Sequence, residues 1–168
     1  MNTDETNDLK KFSELVNDIK VATLVTYSQD EGMRGRPMST AEVDEMGSLW
    51  FFTNEFSGKV DEIEKDNEVL VSYASRSDNS YVIVRGRSAL VNDKDKIEAL
   101  WNPSLKVWFP DGLSDPSILL LKVEPDEVEY WNGSSSKVVV AFKMLKAYLT
   151  GKEYEDGDYK KINVNPDN

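Results

Sequence analysis

The sequence predicts a mainly β fold, an antiparallel barrel or sandwich with peripheral helices. Three observations lead there: six or more short runs are β-branched and apolar, polar turns join several of them into hairpins, and helical periodicity is confined to a few short stretches.

The elements follow in order. From Thr3 or Asp4, which suit an N-cap, Leu9, Phe12, Leu15, Val16 and Ile19 recur every three to four residues, so an amphipathic helix opens the chain. The period then changes. Residues 21–27 and 34–43 read as two strands joined by a turn over 28–32, and residues 49–53 follow Met46-Gly47 as a third. Ser57 is placed to cap a short helix whose apolar face is Val60 and Ile63. Residues 69–74 and 81–91 form a second hairpin about the polar turn 76–79. A short helix starts at Asn92 or Asp93 and ends near Trp101. Pro103, Pro110 and Pro116 then hold an irregular aromatic loop before strand character returns at 118–123 and 128–131. Residues 137–149 read as a C-terminal helix, and the charged tail over 151–168 is either an edge strand around Ile162 or mobile. One domain is expected over 1–168, with the N-terminal helix in 1–19, the barrel in 20–132 and the C-terminal helix and tail in 137–168.

Composition narrows the chemistry. The 31 Asp and Glu outnumber 20 Lys and Arg for a net charge of −11, which disfavours nucleic acid and anionic membrane as partners. The polar, acidic start is unlike a signal peptide and no apolar run reaches spanning length, so a soluble, cytoplasmic protein is expected. There is no His and no Cys, which removes the usual neutral-pH acid/base, the thiol nucleophile and the common soft metal ligands. An activity would then rest on a bound cofactor, and no metal ligand set is expected.

Against this acidic background, positive charge and hydroxyl donors gather in Arg34-Gly35-Arg36-Pro37-Met38-Ser39 and in Thr53, Ser57 and Lys59. Four of the five arginines form the pairs Arg34/Arg36 and Arg85/Arg87, each two apart on a strand and so on one face. For Arg85/Arg87 the simpler reading is a surface salt bridge, contributing about 0–1 kcal/mol. Arg34/Arg36 precede Pro37, which cannot donate to a ladder and marks an edge or a break. A helix start after Ser57 adds backbone N–H groups, so a phosphate suits that corner; a solvated helix cap with an exposed Lys59 fits the same residues. Gly-x-Gly-x-x-Gly and full P-loop patterns are missing. Trp101 and Trp131 read as core or interface residues, and Trp108-Phe109 as either a ring cover or a subunit contact. The acidic clusters Asp44-Glu45 and Asp61-Glu62-Glu64 lack metal-loop spacing and read as solvated faces.

Several blocks in order carry a resemblance: Arg36-Pro37-Met38, residues 47–53, Ser57-Gly58-Lys59-Val60, residues 69–73, Val84-Arg85-Gly86, Leu100-Trp101, residues 107–110 with Asp115-Pro116, and Val123-Glu124-Pro125 with Glu129-Tyr130-Trp131. Over residues 10–132 the chain resembles the flavin-binding split-barrel proteins related to pyridoxamine phosphate oxidase, most nearly their general stress branch. The resemblance implies a six-stranded antiparallel split β-barrel, a homodimer, and FMN in each of two clefts between subunits. By position it implies Arg36, Pro37 and Met38 along the flavin ring, Phe52 and Thr53 lining the site, Ser57 and Lys59 on the phosphate with Arg34 assisting, and Trp108 approaching from the partner chain. The Arg-x-His substrate element of the true oxidases needs a His that this chain lacks, which argues against vitamin B6 oxidation. The implied function is an FMN-dependent oxidoreductase acting on a small molecule. A non-catalytic flavin-binding, storage or sensing module is the alternative, as is a relative that takes deazaflavin, or haem, for which the ligating His is missing.

Overall fold

A computed structural model describes residues 3–133, 144 and 158–164. Helix α1 (Thr3–Ile19) buries Phe12, Leu15 and Val16 and stops at Lys20. There the backbone turns left-handed (φ 64°) and the Lys20 N–H returns to the Val16 carbonyl at 2.8 Å. Strands β1 (Val21–Ser28) and β2 (Gly32–Val43) form the first hairpin, and β3 (Leu49–Asn54) follows a turn at Gly47. Gly47 has φ 82°, and a Cβ there would sit 3.0 Å from the Leu9 side chain. Helix α2 (Gly58–Lys65) leads to the hairpin of β4 (Glu68–Ser75) and β5 (Ser80–Val91). Asp93 caps α3 (Lys94–Leu100) by accepting from the N–H groups of Asp95 and Lys96, and two short 3-10 turns then lead into β6 (Ile118–Asn132).

The strands pair antiparallel in the order β3-β2-β1-β4-β5-β6, and β6 pairs again with β3, which closes a six-stranded barrel. Closure leaves these strands with few free edges, the exception being the stretch of β2 before Thr40, which β3 does not pair. Inward-facing Leu24, Phe51, Val71, Tyr73, Val82, Val84, Leu121 and Val123 fill the barrel, and α1 covers it with Phe12, Leu15 and Val16. On the outer face of β3 and β6, Trp50, Ile118 and Leu120 pack with Ile97 and Phe109 in a smaller cluster. Phe52 and Trp101 join that cluster edge to face, with centroids 6.0 Å apart.

One detail differs from the sequence reading, and the tail takes one of the two forms expected of it. The runs 118–123 and 128–131 are one continuous strand, because the intervening Pro125 sits opposite Gly86 at a register shift instead of ending the pairing. Gly86 is required there, since a Cβ would lie 2.2 Å from the Glu124 carbonyl oxygen. The tail contributes β7 (Asp158–Asn163), which pairs with residues 127–132 of β6, beyond the stretch that β3 occupies. The expected helix over 137–149 lies outside the described residues except for Met144, which is helical.

Candidate functional site: a cationic corner in the barrel mouth

Strands β2 and β3 run side by side only from Thr40 to Val43 on β2, with a register shift between Thr40 and Glu42. Below Thr40 the two strands part. Thr40 donates its N–H to Lys20, on the β1 side, at 2.9 Å. By the alternation of an antiparallel strand, Arg34, Arg36 and Met38 direct backbone groups to β1, while Gly35, Pro37 and Ser39 direct theirs into the parting. Among the described residues no strand pairs with that edge, and Pro37, having no N–H to satisfy, is suited to it.

Side chains on the inward face converge at the same mouth. Thr26 lies opposite Arg34, Leu24 opposite Arg36, and Thr53 opposite Leu119, so Thr26, Arg34, Arg36 and Thr53 share the interior face. Helix α2 lies across them. The Lys59 ammonium donates to Thr53 Oγ1 at 3.0 Å and to Ser57 Oγ at 3.2 Å, which leaves one of its three donors for a ligand. Ser57 occupies the N-cap position of α2, but its hydroxyl makes no capping bond and turns to Lys59 instead. The Val60 N–H already returns to the Ser57 carbonyl at 2.9 Å, so of the first three N–H groups of α2 those of Gly58 and Lys59 are the ones a helix start leaves without an intrahelical partner.

Glu62, one turn along α2 from Lys59, is buried at 7% exposure. Its Oε1 accepts from Arg36 Nη2 at 2.7 Å and Arg34 Nη1 at 3.2 Å, and its Oε2 accepts from the Thr26 hydroxyl at 2.6 Å. Arg36 Nη1 also donates to Thr26 Oγ1 at 2.7 Å, closing a ring of three side chains. The hydrogen bond from Arg36 is the largest influence holding the Glu62 carboxyl down at about 2, against the cost of burial, so it stays ionised well below the usual carboxylate range. Burial lowers the Lys59 pKa first and the nearby Arg36 charge lowers it further, with Glu62 partly offsetting both. Exposed Glu31 makes a further, solvent-screened contact to Arg34 Nε at 2.9 Å.

A donor set of this kind, on a split six-stranded barrel, invites comparison with known families. The model of the family described as "Pyridoxamine 5'-phosphate oxidase like" matches residues 7–155. The chain belongs to this family. General stress protein 26 of Bacillus subtilis is 27% identical over 138 residues, which is 79% of this chain and 94% of that protein. The crystal structure of a putative general stress protein 26 from Jannaschia sp. CCS1 superposes with TM-score 0.77 at 21% identity, covering 94% of this chain and 99% of that one. The general stress FMN/FAD binding protein of Xanthomonas citri superposes with TM-score 0.67 at 23% identity, covering 80% and 93%. At these identities the two structures establish the shared fold.

Within this pyridoxamine 5'-phosphate oxidase like chain, the residues singled out from sequence separate into two groups. Arg34, Arg36, Thr53, Ser57 and Lys59 meet in the mouth. Met38 is buried in the barrel core, and Pro37 lies on the outer face of the free edge. Phe52, adjacent to Thr53 in sequence, points the opposite way, into the outer aromatic cluster. Trp108 ends a 3-10 turn and is 68% exposed. Arg85 and Arg87 form surface pairs with Glu127 and Asp126.

Glu62 and Thr26 escaped the sequence reading. Reading 61–64 as a solvated face is corrected for Glu62, which the two arginines draw inward. The signals were positional: Thr26 continues the inward series Ala22, Leu24, and Glu62 stands next to buried Ile63 on α2. Asp44 is likewise committed, accepting from the Ser48 N–H at 2.8 Å and the Trp50 indole at 2.9 Å.

Proposed function

We propose that this protein binds FMN as a homodimer and acts as a flavin-dependent oxidoreductase on a small molecule. The observation that carries the reading is the Lys59 ammonium, steadied by the Thr53 and Ser57 hydroxyls beside Arg36 and next to an unpaired strand edge. Lys59, Ser57, Thr53 and Arg36 would hold the phosphate, with Arg34 at its rim. Charge-assisted hydrogen bonds contribute roughly 1.5–3 kcal/mol each, so three or four suffice to anchor a mononucleotide. The free backbone groups of Gly35, Pro37 and Ser39 suit the polar edge of a flat ring. When bound, the flavin supplies the hydride or electron chemistry that this chain's side chains lack. The name of the Xanthomonas citri protein, which includes FMN/FAD binding, supports a flavin as the ligand class.

The dimer is supported by the outer sheet face. Cross-strand register places Val21, Tyr27, Met33, Tyr81, Trp131 and Tyr159 on one side of the sheet, all large, apolar and at least one-third exposed. A second copy seated there would cover this apolar surface.

A non-catalytic flavin carrier is the second reading, favoured by one fact: the buried carboxylate of the mouth is held ionised, so it offers no proton near neutrality. The first experiment is the visible spectrum of purified protein after FMN addition and desalting. Retained flavin bands are expected, and a colourless protein would refute the reading. Reduction by NADH or NADPH followed by acceptor-dependent reoxidation separates the enzyme from the carrier.

A further inference from the structure

Resting on the phosphate-site reading above, we propose that Glu62 is a specificity residue: it sets the charge of the mouth so that a phosphate monoester dianion is matched and more highly charged phosphates are disfavoured. Three cations, Arg34, Arg36 and Lys59, gather there around one buried carboxylate, which leaves two positive charges in excess. A terminal phosphate monoester carries nearly two negative charges at neutral pH. Diphosphates and triphosphates carry more, and without Glu62 the corner would favour them. Because the carboxylate is buried among its partners, its field on a ligand a few ångströms away is weakly screened, unlike that of exposed Glu31.

The same carboxylate acts on geometry. Glu62 and Thr26 each take one N–H from a terminal nitrogen of Arg36, so the guanidinium is fixed beside the mouth as an oriented charge whose remaining N–H groups can meet a phosphate. Lys59, whose remaining donor is uncommitted, is a further direct phosphate contact. A purely structural ion pair, tying α2 to β1 and β2, would affect stability but would leave the preference among anions unmoved.

The test measures inorganic phosphate and pyrophosphate binding by titration calorimetry at one ionic strength, for wild type, Glu62→Gln, Arg34→Gln and the double variant. In Glu62→Gln the ratio of pyrophosphate to phosphate affinity is expected to rise about tenfold. Arg34→Gln should shift it the other way, and the double variant, with wild-type net charge, should return it to near the wild-type value. A folded Glu62→Gln protein with an unchanged ratio overturns the proposal. If that single variant does not fold, the comparison of Arg34→Gln with the double variant isolates Glu62 in a less cationic background, and equal ratios there overturn it too. Wild type that binds neither anion nor FMN refutes the phosphate-site reading together with this proposal. Wild type that binds phosphate with a ratio indifferent to Glu62 refutes this proposal alone.

Discussion

Arg36 and Glu62 meet across the barrel mouth, Nη2 to Oε1 at 2.7 Å, although 26 positions separate them in the chain. One lies on β2 and the other on α2, so the pair fastens the helix that carries Lys59 to the strand with the free edge. On the proposed phosphate site, ligand binding and fold stability would therefore be coupled through Arg36 and much less through Lys59.

That coupling separates two substitutions. Lys59→Ala and Arg36→Ala are each expected to weaken FMN binding about tenfold to a hundredfold, roughly 1.5–3 kcal/mol, in a fluorescence-quenching titration. Arg36→Ala should also lower unfolding free energy by about 2–4 kcal/mol, because Glu62 is left buried with Arg34 as its remaining ion-pair partner. Lys59→Ala should change stability by less than about 1 kcal/mol, since the partly desolvated ammonium is itself costly to bury. Equal destabilisation in both variants, measured by urea unfolding, would contradict this division.

Acid should act through Glu62. Its folded pKa is about 2 against an ordinary 4.5, so its stabilisation is complete above the ordinary value and is lost as pH falls through the interval between them. The amount at stake is about 3 kcal/mol. Facing groups are Arg34 and Arg36 from β2, Thr26 from β1 and Lys59 on α2. Urea midpoints measured from pH 6 down to 2 should show this loss in wild type, and Glu62→Gln should flatten that part of the profile. FMN affinity has its own limits. It should fall on the acid side as the phosphate takes up its second proton, near about pH 6. On the alkaline side it should fall below the ordinary lysine value of 10.5, because burial and Arg36 lower the Lys59 pKa.

The outer sheet face predicts an assembly. Met33, 83% exposed, and Tyr81, 45% exposed, stand on it without a packing role in either hydrophobic cluster. Replacing both by Glu should yield a folded monomer by sedimentation equilibrium at micromolar concentration, with FMN affinity reduced in parallel. Trp108→Ala, by contrast, should leave the dimer intact and raise the fluorescence of bound flavin. A monomeric Trp108→Ala protein would make that residue an interface contact.

The bulge at Gly86 offers a test of the barrel itself. Gly86→Ala places a methyl 2.2 Å from the Glu124 carbonyl oxygen, a backbone atom that can move only with β6. A loss of about 1–3 kcal/mol is expected by chemical denaturation, with the far-ultraviolet spectrum unchanged.

Local chemistry was legible before any coordinates. The β-branched runs, the period change after Ile19 and a cap at Asn92 or Asp93 gave the strands and helices, because each depends on neighbours a few residues away. The ordered blocks extended this to a six-stranded barrel, and Thr53, Ser57 and Lys59 were recognised together because they lie within seven residues. What sequence could not supply was facing and partnership. Phe52 and Thr53 are neighbours that point to opposite sides of β3, Pro125 crosses a bulge without ending β6, and Glu62 looks like any surface glutamate until α2 is laid over Arg34 and Arg36. Those outcomes depend on strand register and on pairings between residues far apart in the chain, and a carboxylate tolerates burial only when such pairings supply its cations.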